Sequence, residues 1–338
     1  MSASADSFLQ RVWYDRHAQW LSLILLPLSW LFGALVACRR AAYRLGLLRR
    51  VRVGRPVVVI GNVTVGGTGK TPFTIWLATR LQAKGVRVGI VLRGYGGTSS
   101  HWPRDVSGDS APDEVGDEAV LLARRTGAIV VAGPDRVAAA RRAIERGAEI
   151  VLSDDGLQHY RLARDREIVV IDGRRGVGNR RLLPAGPLRE PVSRLTQADL
   201  RVVSWRDGSA RPLTPVPATI QVWARLSEAW ALVGGETRSL EAFKGNRVHA
   251  VAGIGHPQQF FAALQQLGIE VAPHALPDHA RLTAADISFP DALPVLMTEK
   301  DAVKSLPLAD QRHWAVRMDV MVSERDAAAV QAMLDRIG

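Results

Sequence analysis

The stretch GNVTVGGTGKT, residues 61–71, follows a short apolar run at residues 57–60 and precedes a segment with helical spacing at residues 72–84. A glycine-rich loop in that position, closed by Lys70 and Thr71, is typical of a phosphate-binding loop. Its glycines allow backbone N–H groups to point at a phosphate, and the N-terminus of the following helix adds partial positive charge. Lys70 is expected to bridge phosphate oxygens, and Thr71 to offer its hydroxyl to Mg²⁺. A glycine-rich turn that binds no ligand is the alternative.

The chain around this loop alternates between apolar strands and helices. The predicted strands are residues 57–60, 86–92, 129–131, 150–152, 168–171 and 200–205, and the predicted helices between them include residues 72–84 and 137–146. Such alternation is typical of a parallel α/β sheet, and strands that are apolar throughout indicate that helices cover both faces. We therefore predict an α/β fold in which a parallel-sheet domain like that of P-loop NTPases occupies residues 39–205.

A second, smaller α/β unit is predicted after a change in composition. Residues 206–217, RDGSARPLTPVP, are rich in turn-forming residues and open a linker, residues 206–245, that we expect to form a short β-ribbon. The C-terminal unit, residues 246–338, alternates again. Its predicted elements are strands at residues 247–252 and 294–297 and helices at residues 257–267 and 324–337.

The N-terminal part, residues 1–38, is predicted to be a membrane-associated helix. Its residues 20–38 carry no charge and approach the roughly 20 residues needed to span a bilayer. They are followed by arginines without an intervening acidic residue, which suits an anionic cytoplasmic membrane face. Pro27 and the tryptophans leave open whether the helix spans the bilayer or lies in its interface. A buried core helix is a further alternative.

Composition narrows the classes of partner. The 338-residue chain has a formal net charge of +11 and a calculated pI near 10.7, which favours partners that carry phosphate. Charge alone does not distinguish nucleic acid, lipid head groups and metabolites, but the basic residues lack the interleaved aromatics of a single-strand binder, so we expect no nucleic acid. Cys38 is the single cysteine, which excludes a disulfide framework and is consistent with a reducing cytosol.

Carboxylates follow the predicted strand at residues 150–152. Asp154 and Asp155 stand where a metal bound to a phosphate loop needs acidic ligands, and Gln158 and His159 come soon after. Open α/β sheets bind ligands at the carboxyl ends of their strands. The alternative is a loop capped by acidic turn residues.

Another acidic pair, Asp117 and Glu118, precedes the helical stretch at residues 119–125. Carboxylates at a helix N-terminus can simply complement the helix dipole. Alternatively, one of them accepts the proton of a substrate hydroxyl, as an Asp does in kinases.

Two further motifs have weaker signals. Arg93 and Tyr95, in RGYGG, could contact a phosphate or a sugar, although a plain strand-to-loop turn also fits. His279, in PDH, could assist a base on the first domain across a cleft, but a single histidine is more often a surface residue. TEKD, residues 298–301, follows a predicted strand.

The order of these motifs resembles the tetraacyldisaccharide 4′-kinase family of Gram-negative lipid A biosynthesis. The motifs are GNVTVGGTGKTP (61–72), RGYGG (93–97), VGDEA (115–119), DDGLQH (154–159), LLPAGPLREP (182–191), AGIGHPQQFF (252–261), PDH (277–279) and TEKD (298–301). The resemblance implies transfer of the γ-phosphate of ATP, with Mg²⁺, to the 4′-hydroxyl of an acylated glucosamine disaccharide 1-phosphate. It also implies a location at the cytoplasmic face of the bacterial inner membrane.

The resemblance assigns roles to individual residues. ATP would be bound by Thr64, Val65, Gly66, Gly67, Thr68, Gly69, Lys70 and Thr71, and Thr64 is usual for this family although general phosphate loops open with glycine. Catalysis would rest on Lys70, on Asp117 as the base and on His279 paired with it. The metal and phosphates would be surrounded by Thr71, Glu118, Asp154, Asp155 and Gln158. The disaccharide or its phosphate would face Asn62, Arg93, Tyr95, His159, Arg189 and Glu190.

One rival interpretation is an ATPase that works as a nucleotide-dependent switch. Membrane-associated switch ATPases with a similar loop carry a signature lysine where this chain has Val65, so the sequence favours the kinase.

Overall fold

A computed structural model describes residues 3–15, 17, 19–206, 219–278 and 280–337. One large, mainly parallel sheet runs through these residues. Its strands are β1 (Val57–Gly61), β2 (Val88–Leu92), β3 (Arg104–Val106), β4 (Ile129–Ala132), β5 (Ile150–Asp154), β6 (Arg166–Asp172), β7 (Leu200–Arg206), β8 (Ile220–Ala231), β9 (Thr237–Ser239), β10 (Arg247–Ala252), β11 (Glu270–Ala275), β12 (Val295–Thr298) and β13 (His313–Val322). The order across the sheet is β11-β10-β12-β13-β8-β7-β6-β1-β5-β2-β4-β3, with β9 beside β8.

Helices pack on both faces of this sheet. They are α1 (Ala3–Tyr14), α2 (Leu26–Arg44), α3 (Lys70–Gln82), α4 (Pro112–Val115), α5 (Asp117–Thr126), α6 (Arg136–Glu145), α7 (Pro257–Gln266), α8 (Ala284–Ile287), α9 (Glu299–Ser305) and α10 (Glu324–Leu334). Short 3₁₀ turns cover Gln19–Leu23, Val192–Gln197, Leu240–Phe243 and Leu306–Leu308. The predicted α/β fold with a parallel sheet is confirmed.

Strand β1 shows why the strands read as continuous apolar runs. Successive side chains of a strand point to opposite faces. Val58 and Ile60 lie in the core that contains α3 and α5, whereas Val57 and Val59 lie in the core that contains α6. Every position of β1 is therefore buried.

The C-terminal strands continue the same sheet. Strand β8 pairs with β7 in parallel and with β13 in antiparallel fashion, and β9 folds back onto β8. Strands β8 and β9 thus form an antiparallel pair. Residues 207–218 of the predicted linker lie outside the described residues, and the proposed domain boundaries stay predictions.

The apolar N-terminal stretch is divided. Helix α1 ends at Tyr14, a 3₁₀ turn follows, and α2 begins with Pro27 in its first turn, where a missing N–H costs nothing, and extends to Arg44. Trp13 Nε1 donates to Pro184 O at 2.9 Å and Ser29 Oγ donates to Leu182 O at 2.9 Å. Within the described residues, no helix combines the length and the apolar character needed to cross a bilayer.

Candidate active site

The loop between β1 and α3 has the backbone that its glycines predict. Gly66 and Gly69 adopt left-handed φ values of 96° and 86°. A Cβ on Gly69 would lie 2.7 Å from Ser204 Oγ on β7, so a side chain here would have to displace the Ser204 hydroxyl. Because Gly69 is the N-cap residue of α3, no side chain of its own competes for the first N–H groups of that helix. These groups could bind a phosphate.

Two carboxylates at the end of β5 face this loop. Asp155 Oδ1 lies 3.6 Å from Lys70 Nζ, and Asp155 Oδ2 lies 3.3 Å from Arg189 Nη1. Asp154, which is 3% exposed, accepts a hydrogen bond from Thr74 Oγ1 at 3.1 Å. Asp155 has φ 48°, an uncommon value for a residue other than glycine. The turn thus directs neighbouring carboxylates toward the same edge.

The two carboxyl groups have different proton affinities. Burial, followed by the nearby Glu118 carboxylate, raises the pKa of Asp154 to about 7. Burial also opposes ionisation of Asp155, but Lys70 and Arg189 outweigh it and hold the pKa of Asp155 below its ordinary value. Near neutral pH, Asp155 is therefore ionised, whereas the Asp154 carboxyl resists ionisation.

The predicted base lies at the start of α5. Asp117 is 5% exposed and its Oδ1 accepts a hydrogen bond from Glu118 N at 2.8 Å. Since α5 leads into the parallel strand β4, its N-terminus lies at the edge of the sheet where the strands end. The effect of Glu118 on the pKa of Asp154 shows that these two sides of the site are adjacent.

Lysines of α9, which belong to the C-terminal part, contact this acidic helix start. Lys304 Nζ lies 3.9 Å from Asp117 Oδ2. Lys300 Nζ lies 3.6 Å from both Glu118 Oε1 and Asp278 Oδ1. These lysine contacts were not predicted, although Lys300 belongs to TEKD and lysines spaced i and i+4 on a helix share one face.

A buried network of hydrogen bonds adjoins the phosphate loop. Glu190, which is 1% exposed, accepts a hydrogen bond from Gln158 Nε2 at 3.0 Å and another from Tyr160. Gln158 Nε2 also donates to Asn62 O at 3.1 Å. Arg194 Nε lies 3.4 Å from the Glu190 carboxylate. Glu190, Gln158 and the backbone of Asn62 therefore form one connected hydrogen-bond network at the start of the loop.

Cationic groups gather beside the two aspartates. Arg136, the first residue of α6, is 3% exposed, and burial, partly offset by Asp154 and Asp155, lowers its pKa to about 10. Burial and then Arg136 lower the pKa of His159 to about 4, so its imidazole is neutral. Arg136 was missed because the helix was predicted to begin one residue later.

The remaining predicted residues lie at the rim or outside the described residues. Arg93 and Tyr95 are exposed after β2, and Tyr95 is 60% exposed. His279 lies outside the described residues, so its pairing with Asp117 stays a prediction. Its neighbour Ala280 is described, and the Ala280 carbonyl accepts a hydrogen bond from Lys304 Nζ at 3.0 Å.

An apolar cavity of about 580 Å³ adjoins the phosphate loop on its N-terminal side. Its lining includes Leu9, Trp13, Phe32, Val65, Leu183 and Pro184. The N-terminal helices and the loop thus line a largely apolar space that is open to solvent on one side.

Comparison with known proteins identifies the family. The family model described as LpxK, tetraacyldisaccharide-1-P 4′-kinase, matches residues 21–337. A protein of Alkalilimnicola ehrlichii named tetraacyldisaccharide 4′-kinase is 49% identical over 98% of this chain and 98% of its own length. Its namesake from Xanthomonas euvesicatoria is 50% identical over 96% of this chain and 94% of its own length.

A solved structure agrees with the sequence comparison. The crystal structure of "apo" form LpxK from Aquifex aeolicus in complex with ATP matches with a TM-score of 0.78 and 29% identity, over 94% of this chain and 99% of that one. The family model and the relatives both extend over nearly the whole chain. This chain therefore belongs to the tetraacyldisaccharide-1-phosphate 4′-kinase family.

Proposed function

We propose that this chain transfers the γ-phosphoryl group of ATP to the 4′-hydroxyl of tetraacyldisaccharide 1-phosphate in lipid A biosynthesis. Family membership supports the substrate, and the neighbour solved with ATP supports the donor. The observation that carries the proposal is the meeting of three groups at one sheet edge. They are the phosphate loop, the Asp154–Asp155 turn and the buried start of α5.

The reaction needs positioning more than covalent help from the protein. Lys70 and the N-terminus of α3 hold the β- and γ-phosphates. Asp117 takes the proton of the 4′-hydroxyl while the hydroxyl oxygen forms a bond to the γ-phosphorus. The bond between the γ-phosphorus and the oxygen that bridges to the β-phosphate breaks, and ADP leaves. His279 would pair with Asp117.

The donor set fits Mg²⁺. Mg²⁺ favours one or two carboxylates together with substrate phosphates, and Asp154 and Asp155 offer two neighbouring carboxylates next to the phosphate loop. Asp154, whose buried carboxyl is costly to ionise alone, and Asp155 would hold the ion, with Thr71, Glu118 and the more distant Gln158 around it. When bound, Mg²⁺ neutralises charge on the transferring phosphoryl group.

The cationic rim suits the disaccharide and its phosphate. Arg93, Tyr95, Arg189 and the neutral His159 would contact the substrate. Asn62 and Glu190 would act on it through the loop backbone and Gln158.

The N-terminal helices suit a lipid surface. Trp20, Ile24 and Trp30 are exposed by 63%, 71% and 68%, an apolar patch that marks an interaction site. We expect this patch and the arginines after it to contact anionic lipid at the cytoplasmic face of the inner membrane, and the adjoining cavity to receive an acyl chain.

The test is transfer of labelled γ-phosphate from ATP to acylated disaccharide 1-phosphate in detergent micelles. We expect product with the wild type and loss with Lys70→Ala and Asp117→Asn. Asp109→Asn, which changes a 98% exposed carboxylate paired with Arg124, is the matched control and should retain activity. ATP hydrolysis without lipid phosphorylation would refute the proposal in favour of the switch ATPase.

A further inference from the structure

Arg175 is a partly buried arginine beside the phosphate loop that the transfer reaction described above does not use. It lies in the turn that follows strand β6. The Asp172 carboxylate fixes this turn, because its Oδ1 accepts hydrogen bonds from Arg174 N and Arg175 N, both at 2.9 Å. Since β6 pairs in parallel with β1, the two strands end at the same edge of the sheet. Arg175 is therefore held next to the loop that follows β1.

Two side chains orient the Arg175 guanidinium. Its Cζ lies 5.3 Å from the centroid of the Tyr14 ring, at the end of helix α1. Its Nη2 donates to His256 Nε2, at the start of helix α7 in the C-terminal part. Both partners are uncharged near neutral pH, because burial raises the pKa of Tyr14 to about 12 and, together with Arg175, lowers the pKa of His256 to about 4. The two side chains thus position the guanidinium without neutralising it.

The other terminal nitrogen, Arg175 Nη1, lies beside the phosphate loop. A Cβ on Gly66 would be 3.5 Å from this nitrogen. Gly66 has a φ of 96° and no side chain that could come between its backbone and Arg175. A guanidinium is suited to phosphate because its planar N–H groups donate to two oxygens at once. Arg175 Nη1 is therefore placed to donate to a phosphate bound at the loop.

The strand order puts this arginine opposite the carboxylates that would hold Mg²⁺. Strand β1 lies between β5, which ends in the Asp154–Asp155 turn, and β6, which leads to Arg175. A phosphoryl group in transfer spreads negative charge over three oxygens, and fixed cations around it stabilise that charge. Lys70 and the metal would supply positive charge from the loop and from the β5 side. The guanidinium supplies it from the β6 side.

We propose that Arg175 is a catalytic residue that binds the γ-phosphoryl group of ATP through Nη1, while His256 and Tyr14 hold its guanidinium in place. This inference rests on the proposed function, phosphoryl transfer from ATP. Arg175 neither gives nor takes a proton. Its N–H groups donate to the phosphoryl oxygens while the acceptor oxygen bonds to the γ-phosphorus and the bond to the bridging oxygen breaks. Arginines that act in this way raise kcat by about 10³-fold or more.

Nucleotide binding distinguishes a contact with the γ-phosphate from a structural role. Calorimetry compares the wild type with Arg175→Met, Arg175→Gln and Arg175→Lys, in the presence of Mg²⁺ and without lipid. The ligands are ADP and the ATP analogue with a methylene bridge between its β- and γ-phosphorus. The two neutral variants should bind the analogue about 10- to 100-fold more weakly, which corresponds to one charge-assisted hydrogen bond, and should bind ADP as the wild type does. Arg175→Lys, which keeps the charge, should recover part of the loss.

The lipid phosphorylation assay gives the catalytic readout. In both neutral variants kcat should fall by about 10³-fold, with KM for the lipid acceptor unchanged. Arg238→Met is the matched control, because it also removes an arginine stacked on an aromatic ring. Arg238 lies on β9, with its Cζ 4.7 Å from the centroid of Trp314, and its variant should match the wild type.

Three results would overturn the inference. Unchanged affinity for the ATP analogue is the first, and an equal loss for the analogue and ADP is the second, because a distorted loop weakens both nucleotides. A raised KM for the lipid acceptor with unchanged nucleotide affinities is the third, and would assign Arg175 to the 1-phosphate of the acceptor.

The proposed function can fail separately. Absence of lipid phosphorylation by the wild type would refute it, whereas the nucleotide affinities would still decide whether Arg175 contacts the γ-phosphate. Thermal unfolding identifies any variant that is not folded, and two neutral variants of different shape keep the test decisive.

Discussion

The ion pairs of Arg125 test how helix α5 is held against helix α9 and strand β13. This residue, on α5, forms hydrogen bonds through Nη1 to both carboxylate oxygens of Glu299 on α9, at 2.6 and 2.7 Å. Its Nη2 donates to Asp319 on β13. Glu299 is 7% exposed and also accepts a hydrogen bond from Met318 N at 3.1 Å. We expect Arg125→Met to leave a buried carboxylate without its cation.

The magnitude follows from this burial. Breaking a buried ion pair by removal of one partner costs about 3–5 kcal/mol in the free energy of unfolding. Burial raises the pKa of Glu299 even with Arg125 present, so the carboxyl of the variant can avoid part of the cost by taking up a proton. The loss should therefore be larger at alkaline pH, where the carboxyl is ionised, than at acidic pH.

Urea unfolding of three variants at two pH values measures this effect. Arg125→Met/Glu299→Gln should recover most of the loss, because the amide is neutral and its oxygen can still accept from Met318 N. Arg124→Met, on the same helix, removes an ion pair to the 98% exposed Asp109 and should cost about 1 kcal/mol or less. Equal losses for Arg125→Met and Arg124→Met would refute the reasoning.

Three further predictions concern the site and the lipid surface. Asp154→Asn should abolish transfer and stabilise the fold. The pKa of the Asp154 carboxyl is raised to about 7, so its destabilising effect grows as pH rises from the ordinary carboxyl pKa to about 7 and is complete above that value; thermal unfolding across pH and the kinase assay check both. Gly69→Ala should lower the free energy of unfolding by about 1–2 kcal/mol because residue 69 has a left-handed backbone, with a further loss from contact with Ser204. Gly67→Ala, with open space around its Cβ, should leave the unfolding temperature nearly unchanged. Trp30→Ser should weaken flotation with anionic vesicles without change in unfolding temperature, because this 68% exposed ring adds little to the core.

The features that could be predicted from sequence are those that depend on residues close together in the chain. The phosphate loop, β1 and β5 are specified by contiguous residues, since an apolar run, glycines and a following helix each act on their neighbours in the chain. The predicted helix at residues 72–84 was displaced by two residues from α3 because the phosphate loop itself provides the first helical positions, Lys70 and Thr71.

The elements that were missed depend on distant partners. Strand β11 contains Pro273, which argues against a central strand, but β11 lies at the edge of the sheet beside β10, where a missing N–H is tolerated. Arg136 and Lys304 acquire their places only when α6 and α9 pack against other parts of the chain. Sequence spacing indicates which side chains share a helix face, but not which carboxylate that face will meet.

Strand β8 joins the N-terminal and C-terminal strands into one sheet. It is bonded on one side to β7 and on the other to β13, with an irregularity near Met318. A cut at the compositional boundary, between β7 and β8, would leave the β7 edge of one fragment and the β8 edge of the other with unpaired N–H and C=O groups, which is a template for aggregation. Fragments expressed separately should therefore precipitate or recombine by strand complementation. A split version of this kinase could instead be divided at the exposed turn Gly234–Gly235, provided that β8 and β9 still reassemble.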